Sequence, residues 1–384
     1  MTRPPEIHRP GGPSSRALLP GILVGGALLL ALWSGLIRLG WPLPPLRPTL
    51  PMAHGPLMVG GFLGALISLE RAVALGRPWG YGAPVAAGLG ALLLALGLPG
   101  WPGPLLISLG SALLLALMGS IVRIHPAIFT WTLAAGAASW LVGNLFWLAG
   151  WPIYGVVLWW ANFLILTIAG ERLELSRLLR PPVGAQVAFV VTVALMMGGS
   201  AMALGQADLG VRLAGLGMVL LALWLWRFDI ARRRLGAGGQ ARFIALCLLS
   251  GYVWLGVAGL LGLAYGGVMA GPAYDAWLHA LFLGYVFTMI FGHAPIILPA
   301  VLGLPVQYRP RFYVHLVLLH LSLALRVAGD VILWWPGRQW GGLLNVLVVL
   351  LFLGNTLSTL PICANGLRRL SSTLTRRQPD PSKP

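Results

Sequence analysis

Stretches of about twenty apolar residues, separated by short breaks rich in Gly, Pro and Arg, recur from Leu18 to Ile362 with few charges inside them. A helix of about 20 apolar residues crosses a hydrocarbon core of roughly 30 Å, so each stretch reads as a membrane span. Only 9% of the 384 residues are charged and 58% are hydrophobic. Soluble domains carry roughly 25% charged residues, so the bilayer must be this chain's solvent.

The net charge of +17 comes almost wholly from arginines between the apolar stretches. That pattern suits a membrane surface, and no nucleic-acid partner is expected. Cys247 and Cys363 both lie in apolar segments, which leaves neither a disulfide framework nor a CxxC metal site. The apolar run from Leu18 to Ile37 is too long for a signal-peptide core, shows no clear cleavage site and reads as a retained first span.

Twelve spans fit the punctuation, at 17–37, 52–74, 80–99, 103–123, 127–149, 152–174, 184–204, 210–228, 241–268, 274–302, 312–335 and 339–362. They define an all-α membrane domain over 17–362, between an N-terminal tail at 1–16 and a polar, largely disordered tail at 363–384. Pro295 and Pro299 fall inside the tenth span, whose inner part is therefore expected to be irregular or re-entrant.

Of the 26 basic residues, only Arg38, Arg47, Arg212 and Arg338 fall in loops after odd-numbered spans, and Arg326 lies within a span. The remaining 21 gather at the termini and after even-numbered spans. Lys and Arg accumulate on the cytoplasmic side, which predicts both termini inside and a location in the bacterial inner membrane. Glu70-Arg71 and Glu171-Arg172 end the second and sixth spans, four spans apart. Three pseudo-repeated four-helix units would make the second, sixth and tenth spans equivalent, although the tenth lacks the dipeptide. The alternative is that each dipeptide simply pairs charges at a helix end near lipid headgroups.

Ionisable groups at membrane depth are costly and mark functional positions by default. His54 and His279 each lie about one turn from the outer end of an inward-running span, the second and the tenth. Two neutral imidazoles on facing helices can supply both axial ligands of a haem iron. His293 follows His279 by fourteen residues, about 21 Å down nearly the same face. A second haem or a copper would use His293 with His315 or His320, which stand on the eleventh span about 140° apart around its axis. Against this stands the ordinary role of a membrane histidine as a hydrogen-bonded packing residue. Met58, one turn below His54, is either a thioether ligand or packing. His125 and His8 read as surface residues.

Arg326 and Asp330 share one face of the eleventh span and can neutralise each other. Alternatively, Arg326 and Arg338 hold haem propionates, a task suited to planar multi-donor cations. Trp277, Trp334, Trp335 and Trp340 fit an interfacial aromatic belt. Asn144, Asn162, Asn345 and Asn355 suit interhelical hydrogen bonds.

The run His279-Ala-Leu-Phe-Leu-Gly284-Tyr-Val-Phe-Thr288-Met289 resembles the His-Ala-Leu, Gly, Thr-Met pattern of NnrS-like membrane proteins. Gly292-His293 is similar to that family's later Gly-His, with shorter spacing, and His54 with Gly61-Phe62 loosely resembles its early histidine motif. The resemblance implies a twelve-span, haem-bearing protein linked to nitric-oxide response, with a fold like the catalytic subunit of haem-copper oxidases. It also implies low-spin haem ligands on the second and tenth spans near the outer face, at His54 and His279. The chain departs from the oxidase pattern because its sixth span has no histidine and no His-His pair occurs. An oxidase copper site and oxygen reduction are not expected.

Three functional classes follow. One is a haem protein that meets a diatomic gas or an electron donor. Another is a twelve-span solute transporter without haem, for which buried Arg326, Asp330, Glu70 and Glu171 would serve alternating access. The third is a purely structural or assembly subunit, which the small number of buried charges would suit. The sequence is silent on oligomeric state.

Overall fold

A computed structural model of the chain describes residues 15–302 and 306–360. His8, Cys363 and the predicted tails lie outside the described residues, except Ser15 and Arg16, which already belong to the first helix. Every predicted window holds a helix among the described residues, because a backbone in hydrocarbon must satisfy its own N–H and C=O groups. No strand occurs among the described residues.

We label the helices α1 (Ser15–Arg38), α2 (Leu50–Leu75), α3 (Gly82–Ala95), α4 (Pro102–Ile124), α5 (Ile128–Leu148) and α6 (Ile153–Ser176). There follow α7 (Val183–Met202), α8 (Ala207–Phe228), α9 (Gly239–Tyr265), α10 (Gly271–Pro299), α11 (Phe312–Val331) and α12 (Trp335–Leu357). Eleven of these are long and apolar enough to cross a membrane. The chain is a multi-pass helical membrane protein.

The exception is α3, whose 14 residues rise only about 21 Å. Short turns at either end complete its course. Gly76, at φ +68, closes α2 by donating to the Ala72 carbonyl, and beyond α3 a Cβ on Gly97 would sit 3.1 Å from Thr49 Oγ1, back at the start of α2. The segment therefore runs the full depth of α2 although its regular helix is short.

Burial varies with a period of four helices. The membrane windows of α2, α6 and α10 are 61%, 83% and 67% buried, whereas those of the other eight long helices range from 33% to 56%. These three helices form the centre of the bundle.

Both α2 and α10 loosen from α-helix to π-helix partway along, at Leu57–Gly64 and Ala280–Phe287. Glycines let bulky neighbours approach there. Gly64 faces the Trp140 ring and Gly284 the Trp254 ring, where any Cβ would collide. The two π-helical segments touch through Phe62 and Phe287, whose ring centres are 5.7 Å apart. Such segments are rare and frequent at functional sites. The predicted irregularity at Pro295 and Pro299 does not occur, since helix continues through both. Each proline removes one amide donor, which a helix can lose without breaking when its neighbours hold it in place.

Candidate functional site

His54 stands three residues before the π-helical segment of α2, and His279 immediately precedes that of α10. Their ring centres are 6.4 Å apart, with planes inclined by 23°. Among the described residues this is the one histidine–histidine ring pair.

Each ring is held from behind in the same way. His54 Nδ1 donates to the Ala31 carbonyl of α1 at 2.8 Å, and His279 Nδ1 donates to the Asp275 carbonyl one turn earlier, also at 2.8 Å. A carbonyl only accepts, so both imidazoles carry their proton on Nδ1 and present an Nε2 lone pair. Neither Nε2 has a hydrogen-bond partner among the described residues. Gly35 permits this arrangement, because a Cβ there would lie 2.9 Å from His54 Cε1.

Both imidazoles line a cavity of about 600 Å³, within the usual range for ligand sites. Its walls are apolar, with Leu32, Val59, Leu63, Val157, Phe282 and Val349 among them. Its polar end holds Arg38, Arg326 and Arg338 around one acid, Asp275. Met58 also lines it, partly buried.

The charges at that end pair differently from the expectation. Arg326 does not neutralise Asp330. It forms a two-pronged contact with Asp275, Nε to Oδ2 at 2.9 Å and Nη2 to Oδ1 at 3.0 Å. Arg338 takes Asp330 instead, with Nε 3.0 Å from Oδ1, and lies 3.6 Å from Asp275. Helix α10 starts close enough to α11 for its own acid to intercept Arg326. Arg38 forms no ion pair among the described residues. Asp275 and Arg38 were both missed by sequence reasoning, although Asp275 precedes His279 by four residues and so shares its face.

The other histidines are not gathered into a second site. His293 donates from Nδ1 to the Met289 carbonyl at 2.7 Å, and its Nε2 faces Arg172 Nη1 at 3.4 Å. His315 is fully buried among Phe243, Phe291, Phe312 and Phe352, 3.3 Å from the Asn355 amide. His320 accepts at Nδ1 from Trp254 Nε1 at 3.0 Å. Among the described residues, no group of three or more His, Cys, Asp or Glu side chains could hold a metal ion. Both nitrogens of His293 have partners, whereas His315 and His320 each keep a buried Nε2 without one.

The four asparagines all bond across helices: Asn144 to Trp160 at 3.0 Å, Asn162 to Ser200 at 2.8 Å, Asn345 to Ser322 at 2.8 Å and Asn355 to His315. Trp334, Trp335 and Trp340 are about half exposed, as an interfacial belt requires, but Trp277 is buried.

These features define a class: a multi-pass helical membrane protein with two inward-facing histidines at one end of its central helices. By sequence, the family described as a domain of unknown function, DUF8744, matches residues 16–360, and the chain belongs to that family. No curated protein matches it.

Proposed function

We propose that the chain holds a haem between His54 and His279 in the outer half of the membrane and serves electron transfer. The observation that carries this reading is the spacing of the two rings. Imidazole–metal bonds of about 2.0–2.1 Å, with about 1.1 Å from Nε2 to the ring centre, put two axial rings about 6.3 Å apart. The observed separation is 6.4 Å, which matches two imidazoles sharing a metal. The Nδ1 bonds to backbone carbonyls are the partners that metal-ligating histidines ordinarily have.

The cavity suits the rest of such a group. Its apolar walls match a macrocycle, and Arg38, Arg326 and Arg338 offer donors to two carboxylates. Held by His54 and His279 together, a haem there would supply single-electron exchange rather than a site for a gas. The resemblance to NnrS-like proteins points to the same ligand pair and adds a nitric-oxide setting. The fourfold rhythm of burial favours three four-helix units, and the distribution of arginines favours twelve crossings with both termini inside a bacterial inner membrane.

Absorbance spectra of the purified protein test the reading. A Soret band that vanishes in His54→Ala and in His279→Ala, but survives in His315→Ala, supports it. A wild-type protein that carries no haem after expression with ample haem supply rejects it, and solute uptake by liposomes would then favour the transporter.

A further inference from the structure

At the end of the bundle opposite the cavity, the two Glu-Arg dipeptides meet. Arg71 of α2 pairs directly with Glu171 of α6 and stands 3.6 Å from Glu70. Arg172 of α6 pairs through Nε with Asp229, just beyond α8, at 2.8 Å, and the two side chains are 3% and 0% exposed. From α10, His293 faces Arg172, Glu171 and Asp229. From α9, Tyr252 faces Asp229 and Arg172, and Tyr285 of α10 lies beside them. Glu174 is also within reach of Arg71, but it has its own cation, Arg177 at 3.9 Å.

The network therefore sets two guanidinium cations against three carboxylates. One net negative charge remains among groups of which Arg172 and Asp229 are fully buried and Glu70 and Glu171 about three-quarters buried. Buried ions need neutralising partners, and no further cation stands against these groups among the described residues. A proton supplies the missing charge.

Geometry decides where that proton sits. It is not on His293: Nδ1 already donates to the Met289 carbonyl, and Nε2 faces a guanidinium, which can only donate. That imidazole is neutral and committed at both nitrogens. Asp229 accepts from Arg172 Nε on one oxygen and from the Ala231 N–H on the other, bonds that favour its charged form. Glu171 has the direct bond to Arg71. Glu70 is left with a shared, more distant guanidinium, and its side chain is 24% exposed, enough to exchange with solvent.

We infer that this ion network is a second functional site, one that binds a single exchangeable proton on the Glu70 carboxyl from the face of the membrane bearing Arg71 and Arg177. Beyond Asp229, the buried hydroxyls of Tyr252, Tyr285 and Thr288 have no hydrogen-bond partner among the described residues. The inference stands whether or not the cavity holds a haem.

Infrared difference spectra of the full chain in lipid nanodiscs, recorded between alkaline and acid buffer, test it. The expected result is a carboxylic-acid carbonyl band gained at low pH and shifted in D2O. It is lost in Glu70→Gln and kept in Glu174→Gln, Asp330→Asn and His293→Gln. Glu70→Asp, which keeps the acid but moves it, retains the band with a displaced midpoint and covers the case in which Glu70→Gln fails to assemble. Absence of the band from the wild type, or its survival in Glu70→Gln, overturns the inference. So does a midpoint that follows NaCl at fixed ionic strength, which would put an alkali cation in the proton's place.

Discussion

His279 and His293 sit on the same helix, each with Nδ1 bonded to a carbonyl four residues earlier, yet they are differently employed. The first lines a cavity, its remaining nitrogen unpartnered and its ring 6.4 Å from that of a second histidine. His293 turns its remaining nitrogen toward Arg172. What makes a membrane histidine a ligand candidate is thus not its depth or spacing but what confronts its free nitrogen. The cavity end offers a lone pair on each side of a gap. The opposite end offers a closed circuit of charges with one proton's worth of vacancy in its charge balance.

The largest effect that could break this contrast is on the cavity side. His54→Ala or His279→Ala should abolish the Soret band entirely while helix content by circular dichroism is unchanged; His293→Ala should leave the band in place. If His293→Ala removed it and His54→Ala did not, the roles of the two ends would be reversed. Next in size is the network. Arg172→Met leaves Asp229 buried and unpaired, a loss of about 3–5 kcal/mol, which should appear as a sharp fall in thermal midpoint or yield in detergent. Asp229→Asn should cost less, because an amide keeps one acceptor for the guanidinium.

The apolar spans and the meeting of His54 with His279 were legible in the sequence because both follow from one-dimensional rules. Apolar length gives the spans, and histidines at matching depth on the second and tenth spans give His54 and His279. The pairing of charges was not legible. Arg326 and Asp330, one turn apart, satisfy the helical rule, but which acid reaches Arg326 depends on where α10 begins relative to α11, and Asp275 wins. The meeting of Arg71 with Glu171 was equally hidden, since a dipeptide repeated at two helix ends says nothing of whether those ends touch. The π-helical segments left a faint trace in Gly60-Gly61, Gly64 and Gly284, but small residues are common wherever membrane helices pack closely.

A smaller effect sharpens the cavity side. Gly35→Ala would push a methyl group against the His54 ring, and overpacking of this kind costs typically about 1–3 kcal/mol. If that cost falls on the bound state, haem affinity should drop by roughly five- to 150-fold, measured by haem titration of the apoprotein. Gly25→Ala, on the same helix with open space around it, should change nothing. Equal losses in both would mean that α1 merely needs flexibility.

The smallest expected effect lies between the two ends, at the hydrogen bond from Asn162 to Ser200 that ties α6 to α7. Interhelical side-chain bonds in membranes average only about 0.6 kcal/mol, because the unfolded chain in lipid also finds partners. Asn162→Ala should therefore lower the unfolding midpoint in a denaturing detergent only slightly, with the Soret band and the Glu70 carbonyl band both retained. Asn162 is fully buried in the most enclosed helix of the bundle, so a loss of several kcal/mol would show that α6 is held chiefly by polar contacts. Close packing of its apolar surface explains the modest effect, since Phe163, Leu164, Ile165 and Leu166 around it are buried on every side of the helix. A helix enclosed all round draws its stability from contact with each neighbour in turn, and losing one hydrogen bond leaves both ends of the bundle where they were.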